Sequence, residues 1–189
     1  MPVDVSLERN IMVDSQVRPN DVPDLAIQDA MRVLPRENLL PPEKRYLAYA
    51  DAQVEYAPGR WLLSPREVAK LLHFLRPRPG ERALAIAAPY AAAVLEWMGL
   101  GVTRNDGDDL DAVSGSWPII VCEGAVAHPP VSWLEALAPD GRLAVVERPG
   151  LNGQAMLYMK TGEVVGRRAL FDCTAPMLPG FEKAPGFVF

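Results

Sequence analysis

The sequence predicts an α/β domain built on a mainly parallel sheet, with a helical extension before it and antiparallel strands after it. Three observations carry this. From Glu81 onward, short apolar runs alternate with segments of helical periodicity, the pattern of buried strands joined by crossover helices. Before Glu81 the apolar residues recur at helical spacing, between capping residues and prolines. After Gly150, two runs face each other across Thr161-Gly162 as a hairpin. The expected division is a helical extension over residues 1–79 and an α/β core over 80–189.

In chain order, "NDVPDLAIQDAMRVLP" reads as a helix with Asp24 as N-cap and Leu25, Ile27, Met31 and Val33/Leu34 on its apolar side. "PPEKRYLAYAD" suits a second helix, with Pro42 in the first turn and Tyr46, Leu47 and Tyr49/Ala50 apolar. "SPREVAKLLHFLRPRPG" is the clearest helix. Ser64 caps it, Pro65 opens it, Glu67 stands at capping-box spacing, and Val68, Leu71, Leu72 and Leu75 form its buried stripe. "RALAIA" is then a buried strand, "YAAAVLEWMG" its helix, "GVTRN" a short strand and "WPIIVCEGA" a strongly apolar one. "PPVSWLEALAPDG" reads as a helix ending at Gly141, "RLAVVERPG" as a strand, and "GFVF" as a closing strand. The 19 prolines fall at segment boundaries.

Composition narrows the function. At 189 residues the chain suffices for one well-buried domain, and 49% apolar with 23% charged residues is an ordinary globular balance. A net charge of −5 argues against a nucleic-acid or acidic-membrane binder. No apolar run approaches the ~18 residues of a membrane helix, and the N-terminus lacks the order of a signal peptide. Two cysteines in apolar contexts, Cys122 and Cys173, fit a reducing cytoplasm and an inert core role. His73 and His128 join no cluster with metal-ligand spacing, so no metal is expected.

A family resemblance enters at four stretches. "MVDSQVRP", "AMRVLPRENLLPPEKRYLAYAD" and "WPIIVCEGAVAHPPVSWLEALAPDGRLAVVERPG" resemble protein-L-isoaspartate O-methyltransferases. "LFDCTAPMLPGFEKAPGFVF" is similar to the tail of a bacterial subgroup of them. The resemblance implies a Rossmann-like, seven-stranded S-adenosylmethionine-methyltransferase sheet. It also implies methyl transfer from that cofactor to isoaspartyl carboxylates in damaged proteins. Such a carboxylate is ionised near neutral pH and is its own nucleophile, so the chemistry asks for positioning and water exclusion rather than a base. Scarce histidine is no objection.

The residues depart from the family where the chemistry needs them. Where relatives carry an acidic residue and a glycine-rich loop before Tyr-x-Ala-Ala-Val, this chain has Ala85 and then Ala87-Ala88-Pro89 before Tyr90, with no glycine and about two residues fewer. Only the 22 residues 95–116 separate the following helix from the next apolar strand. A parallel βαβ unit takes about 30 residues, so one strand and one helix of the family sheet do not fit. Asp106 in this stretch is either a displaced ribose ligand or part of a solvated loop. Where relatives carry Gly-x-Thr-Ile-Ser-x-Pro on the substrate side, this chain has Gly59-Arg60-Trp61-Leu62-Leu63-Ser64-Pro65. Trp61 replaces threonine and Leu63 replaces serine; Ser64, one place late, suits the helix cap. Glu123 and His128 flank the turn after the apolar strand, near where a ligand crevice opens in such sheets. Asp51 fixes the extension or is retained by descent, and Arg60 and Arg66 attract a carboxylate or simply face solvent.

The expectation is therefore a truncated methyltransferase sheet, a catalytically inactive family member that acts by binding. Its partner would be a protein or a second copy, and it would have no cofactor, S-adenosylmethionine being the one implied if activity is retained. The alternatives are a working methyltransferase with a remodelled site and a small-molecule binder using the old crevice.

Overall fold

The computed structural model describes residues 5–182, and the expected closing strand "GFVF" lies outside them. Among the described residues the main sheet has six strands in the order β4-β3-β5-β6-β7-β8. These are β3 (Arg82–Ile86), β4 (Gly101–Asn105), β5 (Trp117–Val126), β6 (Leu137–Glu147), β7 (Gln154–Thr161) and β8 (Val164–Asp172). β3 pairs in parallel with β4 and β5, and β5 with β6. β7 and β8 complete the sheet as an antiparallel meander turning at Gly162. Residues 106–116 connect β4 to β5 without a helix. The strand and helix for which there was no length are missing from the fold.

The helices cover the two faces unequally. α3 (Pro65–Leu75) and α4 (Pro89–Trp97) pack on one face, with α1 (Val5–Met12) and α2 (Leu25–Val33) over them, around a core that runs from Met12 to Ala175. The other face is covered by α5 (Val131–Glu135), whose Trp133 is fully buried, together with Leu110, Leu178 and Phe181 from irregular segments. α3 carries the expected capping box. Ser64 accepts from the Glu67 N–H, Glu67 accepts from the Ser64 N–H, and the apolar stripe is buried.

Several local expectations need correction. Asp24 does cap α2, but the buried side is Ile27, Gln28, Ala30 and Met31, while Leu25 and Val33 fall on the opposite side of the helix and are exposed. "PPEKRYL" is a 3₁₀ helix, Pro42–Leu47, with Tyr46 turned to solvent. The extension is not wholly helical: β1 (Val54–Ala57) and β2 (Arg60–Leu62) form a hairpin turning at Gly59. The helix expected to reach Gly141 stops at Glu135. From Leu137 the chain is already paired with β5, and Asp140 takes a left-handed conformation, φ 58°, before Gly141. A Cβ on Gly141 would lie 2.7 Å from the Ala138 carbonyl oxygen and 2.8 Å from that of Trp117. Both obstacles are backbone. Gly141→Ala is expected to cost about 3 kcal/mol by forcing the β5–β6 register apart, a loss that urea denaturation measures directly.

Candidate functional site

The sheet order reverses between β3 and β5, since the chain leaves β3 for β4 on one side and returns to β5 on the other. The crevice at the carboxyl ends of these two strands is where a doubly wound sheet takes its ligand. Here the turn after β3 closes the part beside α4, while an open cleft of ≈660 Å³ remains between residues 108–111 and 127–132. Ala87, Ala88, Pro89 and Tyr90 are all buried, as is Ala85 on β3. Ala87 has φ 45°, a left-handed conformation that a glycine adopts without strain, and its N–H donates to Asn105 at 2.9 Å. The backbone has kept a glycine's shape at a position that carries a methyl group.

β5 bulges at the same level. Val121 pairs with Ala144 and Ala125 with Val146, so residues 122–124 stand opposite Val145 alone. Glu123 keeps the alternation of Ile119, Val121 and Ala125, which face α3 and α4, and its side chain is completely buried. Glu123 therefore does not flank a surface turn beside His128, as the sequence suggested. Its Oε1 accepts the Ala91 N–H at 2.7 Å and its Oε2 the Leu63 N–H at 3.2 Å. Ala88 is the N-cap of α4 and has no side-chain oxygen to offer, so a carboxylate from β5 serves the helix instead, at the end where the helix dipole favours negative charge. Above the bulge, the C-terminal segment lies along the end of β5. Ala125 donates to Pro176, Leu178 to Ala125 and Ala127 to Phe181, each at 2.8 Å. The Leu178 side chain stands so close over Gly124 that a Cβ there would lie 2.7 Å from its Cγ.

Arg36, which the sequence did not single out, completes this layer. It is 1% exposed, and its Nε donates to the Ala48 carbonyl at 2.8 Å and its Nη2 to the Leu63 carbonyl at 2.6 Å. Its guanidinium lies over the Tyr90 ring, 4.5 Å from the centroid. The Leu63 peptide is thus held at both ends, its N–H by a buried anion and its C=O by a buried cation. Burial pushes the Glu123 carboxyl up to about 7, against the pull of Arg36 and of the Ala91, Leu63 and Tyr90 N–H groups toward the ionised form.

The other sequence candidates divide clearly. Leu63 and Ser64 are buried against this centre, Leu63 through its backbone and Ser64 as the α3 cap. Trp61, in β2 opposite Glu55, is half-buried. Asp106 immediately follows β4 and is exposed. Arg60 reaches the loop beside it, donating to Gly107 at 2.8 Å. Asp51 and Arg66 face each other at 3.9 Å near the surface. Burial pushes the Cys122 thiol up, as befits core. His128 is exposed and lies 3.9 Å from Glu147, at the end of β6, which also accepts from Tyr158 and, at 3.3 Å, from Arg167. Glu147 and Arg167 of that cluster border an open cleft of ≈790 Å³ between β6, β7 and β8, while His128 lines the cleft beside residues 108–111. Among the described residues no group of His, Cys, Asp or Glu is placed to hold a metal ion, and no helix is long and apolar enough to cross a membrane.

No protein-family model matches the chain. A protein-L-isoaspartate O-methyltransferase of Methylorubrum extorquens is 38% identical over 50% of this chain and 42% of its own length, so the matched stretch spans less than half of that relative. One of a Bradyrhizobium species is 27% identical over 88% of this chain and 92% of that protein. Among solved structures, a Plasmodium falciparum protein described as a protein-L-isoaspartate O-methyltransferase, in complex with S-adenosyl-L-homocysteine, superposes with a TM-score of 0.72. It is 16% identical and covers 90% of this chain and 97% of that one. The sheet and its order of elements are thus those of a methyltransferase fold.

Two outcomes follow from the geometry around Glu123. The folded chain holds the Glu123 proton more tightly than an unfolded chain, whose carboxyl titrates near 4.5. The stability this group contributes is therefore complete below that pH and is lost as pH rises through 7. Glu123→Gln should abolish this slope in urea unfolding between pH 5 and 8. It should also cost about 2 kcal/mol, because its amide N–H₂ is set against a backbone N–H. An unchanged slope would assign the pH dependence to another group. Ala87→Gly should raise stability by about 0.5 kcal/mol, relief of the left-handed strain outweighing glycine's greater unfolded entropy, seen as a small increase in the urea midpoint.

Proposed function

Because the chain belongs to the protein-L-isoaspartate O-methyltransferase family, we propose that it is a member without catalytic activity, retained for binding. One observation carries this reading. Every residue at the place of the cofactor loop is buried, and the Glu123 carboxylate occupies the donors of the α4 N-terminus. S-adenosylmethionine would need both the backbone of this loop and space above it. Ala87, Ala88, Pro89 and Tyr90 offer neither without moving β5, the C-terminal segment or α4. The segment Trp61-Leu62-Leu63-Ser64 likewise offers no free hydroxyl, Ser64 being committed to the cap of α3. The residues do not fit the group, so no methyl-transfer step is assigned to them.

The role left is recognition of a protein partner or of a second copy. The nine-residue strand β8 supports this, since it is an exposed edge of the sheet with unpaired backbone groups and Arg167 and Arg168 along it. A second reading, a working methyltransferase with a remodelled site, is favoured by Asp106. It stands directly after β4, where the family resemblance puts the ribose-binding acid, and it is open to solvent.

Calorimetric titration with S-adenosylhomocysteine separates the two. The expected result is no heat at millimolar ligand with the protein folded, and no methyl transfer to an isoaspartyl peptide. Micromolar binding, ~−8 kcal/mol, would overturn the inactive reading in favour of the enzyme.

A further inference from the structure

We propose that the closed crevice is a carboxylate-binding site whose ligand is the chain's own Glu123. The proposal rests on the reading that the crevice is shut, and it states what the shut crevice recognises.

The geometry is that of a receptor rather than of a helix cap alone. A cap requires only the free N–H groups of one helix, and α4 supplies the Ala91 N–H at 2.7 Å. The second donor, the Leu63 N–H at 3.2 Å, comes from a different part of the fold, between β2 and α3, 60 residues away in sequence. Two oxygens of one carboxyl are thus addressed from two directions by backbone donors that neither belong to its strand nor move with it. A cation stands in the same layer. Arg36 is buried to 1% exposure, binds the Leu63 carbonyl, and has its Nη1 buried with no protein partner. A fully buried guanidinium is costly unless an anion is nearby, and among the described groups acting on it Glu123 and Glu67 are the carboxylates. Tyr90 closes the arrangement by stacking under Arg36. The donors, the helix end and the buried cation would all be present if the Glu123 side chain were removed, because each is held by its own element.

Truncation at Cβ removes one methylene and the carboxyl, which is the outline of acetate. Acetate is therefore the probe. Thermal unfolding of wild type, Glu123→Ala and Glu123→Gln is compared in sodium acetate and in sodium chloride at equal ionic strength, near pH 6, below the pH at which the Glu123 contribution is lost. For E123A the midpoint is expected to rise saturably in acetate, by about 4 °C over chloride at ligand well above its dissociation constant. Wild type and E123Q, whose side chains fill the same space, should not respond. An E123A midpoint equal in acetate and chloride, or an E123Q response as large as that of E123A, overturns the proposal. If E123A does not fold in chloride, refolding from urea in the two salts replaces the melt. Recovery in acetate alone supports the site, and recovery in neither, with E123Q folded, overturns it. S-adenosylhomocysteine uptake by the wild type would sink the inactive reading by itself, whereas a flat acetate response in E123A sinks this proposal and leaves that reading standing.

Discussion

The Glu123 carboxyl meets the Ala91 N–H on α4 and the Leu63 N–H ahead of α3, and it does so from the one strand that runs between them. Burying an ionisable group without partners is strongly unfavourable, so the position persists only because its oxygens are satisfied. Much of the local structure is arranged accordingly. β5 bulges beside it, Ala88 caps α4 without a polar side chain, and the backbone at Leu63 is fixed from both ends. The C-terminal segment then seals the layer by laying Leu178 over Gly124. These contacts meet at one carboxyl and one peptide group, although each donor is also held by its own element.

The closed crevice is one of two departures from a full family sheet. The other is the short link between β4 and β5, where residues 106–116 stand in place of a strand and a helix. Its effect is asymmetric. One face is covered by four helices, while the other relies on α5, loop residues such as Leu110, and the segment at Leu178 and Phe181. Trp133 compensates in part, since its buried indole N–H donates to the Leu110 carbonyl at 2.8 Å and ties the loop to the thin face.

What was legible in the sequence follows from what is local. The Ser64-Pro65-Glu67 pattern specifies a helix start through contacts within four residues, and the structure has the capping box. Strand and helix order from Arg82 to Asp172 was readable because continuous apolar runs and apolar residues at helical spacing leave different marks. The hairpin of β1 and β2 was not, since seven strand residues around Pro58-Gly59 are too few to show a period. α5 was read too long because the apolar spacing continues through Ala138, while the break depends on Leu137 pairing with a distant strand. The site itself was half visible. The absence of glycine before Tyr90 was plain, and Glu123 stood out, but its partners at Ala91 and Leu63 are distant in sequence and only the fold brings them to it. Arg36 carried no signal at all. It lies in an irregular segment rich in charges, and only the fold brings it to Leu63.

A ligand that is part of the chain behaves differently from one that arrives by diffusion. Its concentration at the site is set by the length and stiffness of the tether, not by the cell. Glu123 is held by a single side chain on a rigid strand, so no metabolite present at ordinary levels competes with it on equal terms. On the proposed reading, the crevice is insulated from metabolic supply and responds to sequence change alone. In such a molecule one codon does what, in a working enzyme, the cofactor pool does: it decides whether the site is full.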